Sequence, residues 1–385
     1  LISGRKLLDF VLYTKGFYMA EFIKGMDIST LIEEEQCGAR YYDNGKEGDM
    51  LEILKAYGVN SVRLRLWNDP YDENGTPYGA GTNDLEKTII MAKRAIACGM
   101  GFLLDIHYSD FWADPGKQIV PKAWMGYNEE ELEQAVYDFT KETMTTLHEN
   151  NAAPTMVQVG NELTNGLLWP TGKKPEFDNI SRYINAGIRG VRAVDNKVPI
   201  MIHLDNGGLN EMYVEWFDNF IKRGEAFDII GLSYYPFWHG TLDALEFNMR
   251  DMAKRYGKEL VVAEVSMGFS TEDYRSYEKL PEEQLKGMAT RPELLEKLEY
   301  PMTPQGQADF MQDIMTRIAS IPGGRGFYYW EPGWIPVPGC GWANEPALLY
   351  TGEKGPGGNE WANQALFDYD GNALPALEVI RDFKG

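Results

Sequence analysis

The chain has 385 residues and 44% hydrophobic content, enough for a large core, and carries a net charge of −21. That acidity excludes the Lys/Arg-rich surfaces that bind nucleic acid or anionic membranes, and no apolar run is long enough to span a bilayer. Three cysteines, Cys37, Cys98 and Cys340, are too few and too odd in number for a disulfide framework, whereas ten Trp and 22 Tyr exceed what core filling alone requires.

In chain order, short β-rich runs alternate with amphipathic helical stretches, the pattern of βα units around a parallel sheet. Strands are predicted at 22–28, 59–67, 100–108, 155–162, 198–204, 227–235, 259–266 and 325–331, eight in all, the number of a closed (β/α)8 barrel. Met50, Leu51, Leu54 and Tyr57 form one helical face, closed by Gly58. Asn83 and Glu86 have capping-box spacing before Leu85, Ile89, Ala92 and Ile96, and Gly99 follows as a stop. An open doubly wound sheet would carry a glycine-rich nucleotide turn after its first strand, and Met26-Asp27-Ile28-Ser29 is not one. Residues 22–385 therefore read as a single α/β barrel domain, with 1–21 as an N-terminal extension. Long segments follow the seventh strand (268–305) and the eighth (332–365), on the face where barrels place their sites.

The strand ends carry the chemistry. The fourth runs Met156-Val157-Gln158-Val159-Gly160-Asn161-Glu162 and the seventh Leu260-Val261-Val262-Ala263-Glu264, each closing an apolar run with a glutamate. One such glutamate is an ordinary solvated turn residue; two at the same end of a barrel suit the paired carboxyls of glycoside hydrolysis. Glu264, set among valines, must be paired, protonated or working. In the second strand, alternation sends Val62, Leu64 and Leu66 to the helices and Arg63, Arg65 and Trp67 inward. Either arginine can keep Glu264 ionised or form a structural bridge with Asp105. Asp105 and His107 share a face of the third strand, and His203 lies in the fifth. Each histidine is either a satisfied core residue or a substrate contact, and no HExxH or His-x-His supports a metal site. Tyr234, ending the sixth strand, is placed for its hydroxyl to hold a carboxylate, and Trp330, ending the eighth, to floor a sugar site.

Several stretches carry a family resemblance: Lys24-Gly25-Met26-Asp27-Ile28-Ser29, Val62-Arg63-Leu64-Arg65-Leu66-Trp67-Asn68, Asp105-Ile106-His107-Tyr108-Ser109-Asp110-Phe111-Trp112-Ala113-Asp114-Pro115, Gln158-Val159-Gly160-Asn161-Glu162 and Tyr329-Trp330-Glu331-Pro332. Gly-Asn-Glu is common to many retaining barrels, but the Asp-Ile-His-Tyr-Ser-Asp run is far more specific. From about residue 22 the chain resembles the glycoside hydrolase family 53 arabinogalactan endo-β-1,4-galactanases. The resemblance implies cleavage of β-1,4-galactan with net retention, Glu162 as acid/base and Glu264 as nucleophile. It implies that Asn161 binds the sugar 2-hydroxyl, which strict alternation would forbid, so a local irregularity is expected there. Arg63, His107, His203, Tyr234 and Trp330 are expected beside the reacting sugar, and Trp67, Asp110, Trp112 and Trp334 along the cleft. No cofactor is expected. A calcium ion between the two long loops, as some bacterial members look to have, would need Asp/Asn oxygens, for which Glu272, Asp273, Glu353, Asn359, Asp368 and Asp370 are the available residues. The polysaccharide is the expected partner, a monomer the expected state, and an extracellular or cell-surface location follows from the polymeric substrate. Another barrel glycanase such as a β-mannanase, a non-catalytic glycan-binding barrel and a phosphate-handling barrel are the rival readings. The last is discounted because Gly323-Gly324 precedes the eighth strand, at the wrong face.

Overall fold

The computed structural model describes residues 21–272, 291–354 and 357–385. Eight parallel strands close a barrel in the order β1 (Ile23–Asp27), β10 (Gly324–Trp330), β9 (Glu259–Val265), β8 (Ile229–Tyr234), β7 (Ile200–Leu204), β6 (Met156–Val159), β5 (Gly101–Ile106) and β4 (Ser61–Leu66). A small hairpin, β2 (Tyr41–Asp43) with β3 (Lys46–Gly48), stands outside it. All eight predicted strands are present. The fourth is shorter than expected, ending at Val159 rather than at Glu162.

Helices α1 (Leu31–Gln36), α2 (Met50–Ala56), α3 (Leu85–Ala97), α4 (Glu129–Glu149), α5 (Phe177–Val194), α6 (Asn210–Ile221) and α7 (Leu242–Tyr256) precede β9. After it come α8 (Pro292–Leu295), α9 (Pro304–Ser320), α10 (Glu345–Thr351) and α11 (Pro375–Asp382). The cap of α3 is Asp84, which accepts from the Lys87 backbone N–H. Asn83, the expected cap, instead donates to the Ala80 carbonyl, so the predicted start was one residue early. Gly58, at φ +80°, stops α2 as expected.

Strand alternation divides the molecule. Val62, Leu64, Leu66, Phe102, Leu104, Ile106, Val157 and Ile202 join the outer core against the helices. Leu103, Met156, Met201, Ile229, Val261, Ala263 and Tyr328 fill the bottom of the barrel as a separate plug. Each buried Leu, Ile, Val, Met or Phe among these stabilises the fold by roughly 1.5–3 kcal/mol relative to exposure. The plug demands close approach: a Cβ on Gly25 would lie 2.3 Å from the Tyr328 ring. Above the plug, the same inward parity delivers Arg63, Asp105, Gln158, His203 and Ser233, all buried.

Two irregularities at the upper rim re-aim side chains. Against β8, Leu232 pairs with Val262 but Ser233 with Glu264; against β10, Phe327 pairs with Val262 but Tyr329 with Val265. Both neighbours thus see one extra residue in β9, which turns Glu264 inward directly after inward Ala263. After β6, Gly160 (φ +82°) and Glu162 (φ +46°) take left-handed conformations. That is the irregularity expected at Asn161, and it lets Asn161 and Glu162 both face the barrel mouth. A left-handed glutamate is uncommon enough to mark a place where geometry is imposed for function.

Candidate active site

Arg63 organises the floor of the site. Its Nη1 lies 2.7 Å from Asp27 Oδ2, and its Nη2 lies 2.8 Å from Asp105 Oδ2 and 2.9 Å from Glu264 Oε1. Nη2 also donates to Asn161 Oδ1 at 2.8 Å. So the choice left open by the sequence resolves on both points: Arg63 serves Glu264 and bridges to Asp105. Arg65 pairs instead with Asp27 (3.3 Å) and Glu331 (2.6 Å), and its guanidinium stacks on Trp112 at 4.3 Å. Burial alone would raise the Asp27 carboxyl, but Arg65 and Arg63, with the Ser29 hydroxyl, hold it below its ordinary value.

The two glutamates differ in company. Glu264 accepts from the Tyr235 hydroxyl at 2.8 Å and faces Arg63. Glu162 accepts from the Ser233 hydroxyl at 2.6 Å, and among the described residues no ion pair reaches it. Burial lifts Glu162 well above its ordinary value, and the nearby acids Glu264 and Asp205 add to the rise. Burial raises Glu264 as well, but Arg63 and Tyr235 act against it. These surroundings favour the proton on Glu162 and the charge on Glu264. One oxygen of each carboxyl lies within 4.8 Å of the other.

Asn161 donates from Nδ2 to the Ala113 carbonyl at 2.9 Å, which fixes its amide orientation. His107 contacts Asp105 through Nε2 at 2.9 Å, while Nδ1 accepts from Trp67 Nε1 and the Ala113 N–H, which sets its tautomer. Burial and the Arg63 charge push His203 well below its ordinary value, so its ring is neutral.

Over this floor opens a cleft of about 330 Å³. Trp330 lies at its centre, 6.1 Å from Trp112 and 6.0 Å from Trp361, while Trp238 stands 5.5 Å from Trp361. Trp342 and the polar side chains of Asp114, Lys117 and Glu360 complete the walls. Indole faces over a carboxyl pair suit the apolar faces of sugar rings.

Of the expected site residues, Glu162, Glu264, Asn161, His107, Trp112 and Trp330 line this cleft. Arg63 and His203 lie beneath it, fully buried. Four expectations need correction. Tyr234 points outward, because inward Ser233 precedes it; its ring stacks on Phe310 and its hydroxyl donates to the Gly240 carbonyl. The hydroxyl at the carboxylate belongs to Tyr235. Trp67 is buried against Phe111 and Trp112, behind the wall, and supports His107. Trp334 is buried 5.7 Å behind Trp330, with its Nε1 on Asn359. Asp110 is buried too, accepting from the Asp69 and Lys122 backbone N–H groups and pairing with Lys122 Nζ at 3.1 Å, so it ties loops together outside the cleft.

Tyr235, Ser233 and Gln158 were missed, although strand parity from Gly231 and Met156 points all three inward. Trp238, Trp342, Trp361, Asp114, Lys117 and Glu360 sit on irregular loops with no period to reveal them. Among the residues weighed for calcium, Glu353 takes Lys117 at 2.9 Å, Asn359 takes Trp334 at 2.6 Å and Asp368 binds the N–H groups of its own turn. Asp273 lies outside the described residues. Among the described residues, the oxygens and nitrogen that converge closely enough for a metal belong to Glu162, His203 and Glu264, where Arg63 already supplies positive charge.

A carboxyl pair at this spacing, one member beside a cation and one without, at the ends of two strands of a parallel barrel beneath an aromatic cleft, defines a glycoside hydrolase. The chain belongs to glycosyl hydrolase family 53, whose model matches residues 23–380. It is 39% identical over 381 residues to an endo-beta-1,4-galactanase of Bacillus subtilis (strain 168), covering 94% of this chain and 86% of that protein. It is 34% identical over 367 residues to an arabinogalactan endo-beta-1,4-galactanase of Thermothelomyces thermophilus, covering 93% and 98%. The solved family 53 catalytic domain of Ignisphaera aggregans superposes with a TM-score of 0.85 at 41% identity, covering 94% of this chain and 96% of that one.

Proposed function

We propose that the protein hydrolyses internal β-1,4-galactosidic bonds of type I (arabino)galactan with net retention. Family membership and the galactanases among its relatives support the substrate. The observation that carries the mechanism is the carboxyl spacing, within 4.8 Å between nearest oxygens. It fits the retaining separation of about 5–5.5 Å and leaves no room for the water that an inverting pair holds across about 6.5–9.5 Å.

Glu264, ionised by Arg63 and Tyr235, attacks the anomeric carbon. Glu162 protonates the departing glycosidic oxygen. The freed carboxylate of Glu162 then takes a proton from water, which hydrolyses the galactosyl ester on Glu264 and restores both groups. Asn161, held by Arg63 and Ala113, offers its amide to the 2-hydroxyl, and Trp330 stacks beneath the sugar. A mannan substrate would use the same pair, but the mannosidase that superposes at 14% identity shares the fold alone. The polymer cannot enter a cell, so the site of action is extracellular or cell-surface. The cleft is complete within one chain, which suits a monomer.

A proton NMR time course on linear β-1,4-galactan tests the reading. β-Anomeric reducing ends are expected first, followed by mutarotation. Initial α-anomers would overturn retention, and untouched galactan would overturn the substrate.

A further inference from the structure

Strand β8 and the residue that follows it send a hydroxyl to each catalytic carboxyl: Tyr235 to Glu264 and Ser233 to Glu162. On the Glu162 side the hydroxyl itself continues into a network of neutral side chains. Ser233 is fully buried, and its Oγ lies 2.9 Å from His203 Nε2. His203 Nδ1 lies 3.1 Å from Gln158 Nε2, which in turn donates to Asp105 Oδ1 at 2.6 Å. Taking Glu162 as the acid/base of the proposed reaction, we propose that Ser233 is a positioning residue. It occupies Glu162 Oε1 as a donor, leaving the transferable proton to Oε2, and His203 turns the serine hydroxyl that way.

A hydroxyl has one proton to give. It goes to Glu162 when Ser233 itself accepts from His203, which requires the ring proton on Nε2. Nδ1 must then accept. Gln158 is placed to satisfy it, because Asp105 fixes which end of the Gln158 amide carries the protons. The opposite tautomer would send Nδ1–H to Asn161 Oδ1, 2.9 Å away, and turn the serine proton to His203. But Asn161 Oδ1 already accepts from Arg63, and an Nδ1–H would face the Gln158 amide nitrogen, itself a donor, at 3.1 Å. Ring neutrality, enforced by burial and by Arg63, keeps the arrangement uncharged.

The need for such a donor follows from what surrounds Glu162. Glu264 faces it from β9, Asp205 from the loop after β7 and Asp114 from the loop after β5, all acids that oppose its ionisation. His203 is neutral, and Tyr235 is engaged with Glu264. Once Glu162 has released its proton, the Ser233 hydroxyl is the donor that holds the new carboxylate in place for its second role, as base.

The test compares wild type with Ser233→Ala and Ser233→Thr on linear β-1,4-galactan and on a dinitrophenyl β-galactobioside, whose leaving group departs without an acid. For Ser233→Ala, kcat/KM on galactan is expected to fall about tenfold or more, while the aryl substrate loses less than about threefold. Loss of a donor to the ionised form raises the Glu162 pKa. The basic limb of the galactan pH profile, which reports loss of the acid's proton, then moves up by about one unit. Ser233→Thr, which keeps a hydroxyl, restores both. Equal losses on the two substrates would reveal a merely structural serine and overturn the proposal. So would a limb that stays put or moves down, as the opposite tautomer requires. Wild type inactive on both substrates would instead sink the galactanase reading on which the proposal rests.

Discussion

Replacing Tyr235 by Phe removes one oxygen from a buried, charge-assisted hydrogen bond, the 2.8 Å contact to Glu264 Oε2. A bond of that kind contributes about 1.5–3 kcal/mol to the ionised form, and each pKa unit corresponds to about 1.36 kcal/mol. Arg63 remains 2.9 Å away and keeps most of the charge stabilisation, so the expected rise in the Glu264 pKa is about one unit. The sign follows from the mechanism. The nucleophile must be ionised, so activity rises with pH through its pKa, and raising that pKa moves the acidic limb upward. The basic limb, set by Glu162, stays. The assay is kcat/KM on galactan against pH for wild type, Tyr235→Phe and Tyr234→Phe. In the last variant the lost hydroxyl served the Gly240 carbonyl on the outer face, so stability falls by about 0.5–1.5 kcal/mol while the profile is unchanged. A limb that moves in Tyr234→Phe but not in Tyr235→Phe would refute the reasoning.

Arg63→Met leaves Asp27, Asp105 and Glu264 without their shared cation, and denaturant titration should report at least about 3–5 kcal/mol of lost stability. A loss under about 1 kcal/mol would mean these acids are satisfied some other way. Glu162→Gln removes a carboxyl whose folded pKa lies above its unfolded one. Such a group binds its proton more tightly when folded, so its contribution declines as pH rises above the unfolded value of about 4.5. Thermal scans should therefore find Glu162→Gln more stable than wild type at neutral pH by a few degrees, with the gap closing near pH 4; a gap that widens on acidification contradicts the sign. Trp330→Ala removes the stacking surface beneath the reacting sugar, and KM should rise about tenfold on galactan and on the aryl galactobioside alike. An unchanged KM on both would place Trp330 outside the sugar path.

The strands were legible because their hydrophobic runs are bounded by glycines and acids, and strand parity placed Arg63 and Arg65 inward and set Asp105 and His107 on one face. Parity applied to β8 would also have found Ser233 and Tyr235 and excluded Tyr234. Where the backbone departs from regularity, the signal ends. The extra residue in β9 brings Glu264 inward beside Ala263, which alternation alone denies. The left-handed Glu162 likewise ends a strand that its apolar run seemed to extend. Trp67 and Trp334 resemble cleft residues in composition, yet partners in three dimensions, His107 and Asn359, place them behind the walls. Trp238, Trp342 and Trp361 come from separate loops and meet only through the closed barrel.

The roles of the two glutamates are tested most directly by trapping the covalent intermediate. A dinitrophenyl galactobioside carrying fluorine at the 2-position of the reacting sugar should label the protein once, and peptide mass spectrometry should find the fluorogalactobiosyl ester on Glu264. Ester on Glu162, or turnover without any covalent adduct, would contradict the assignment.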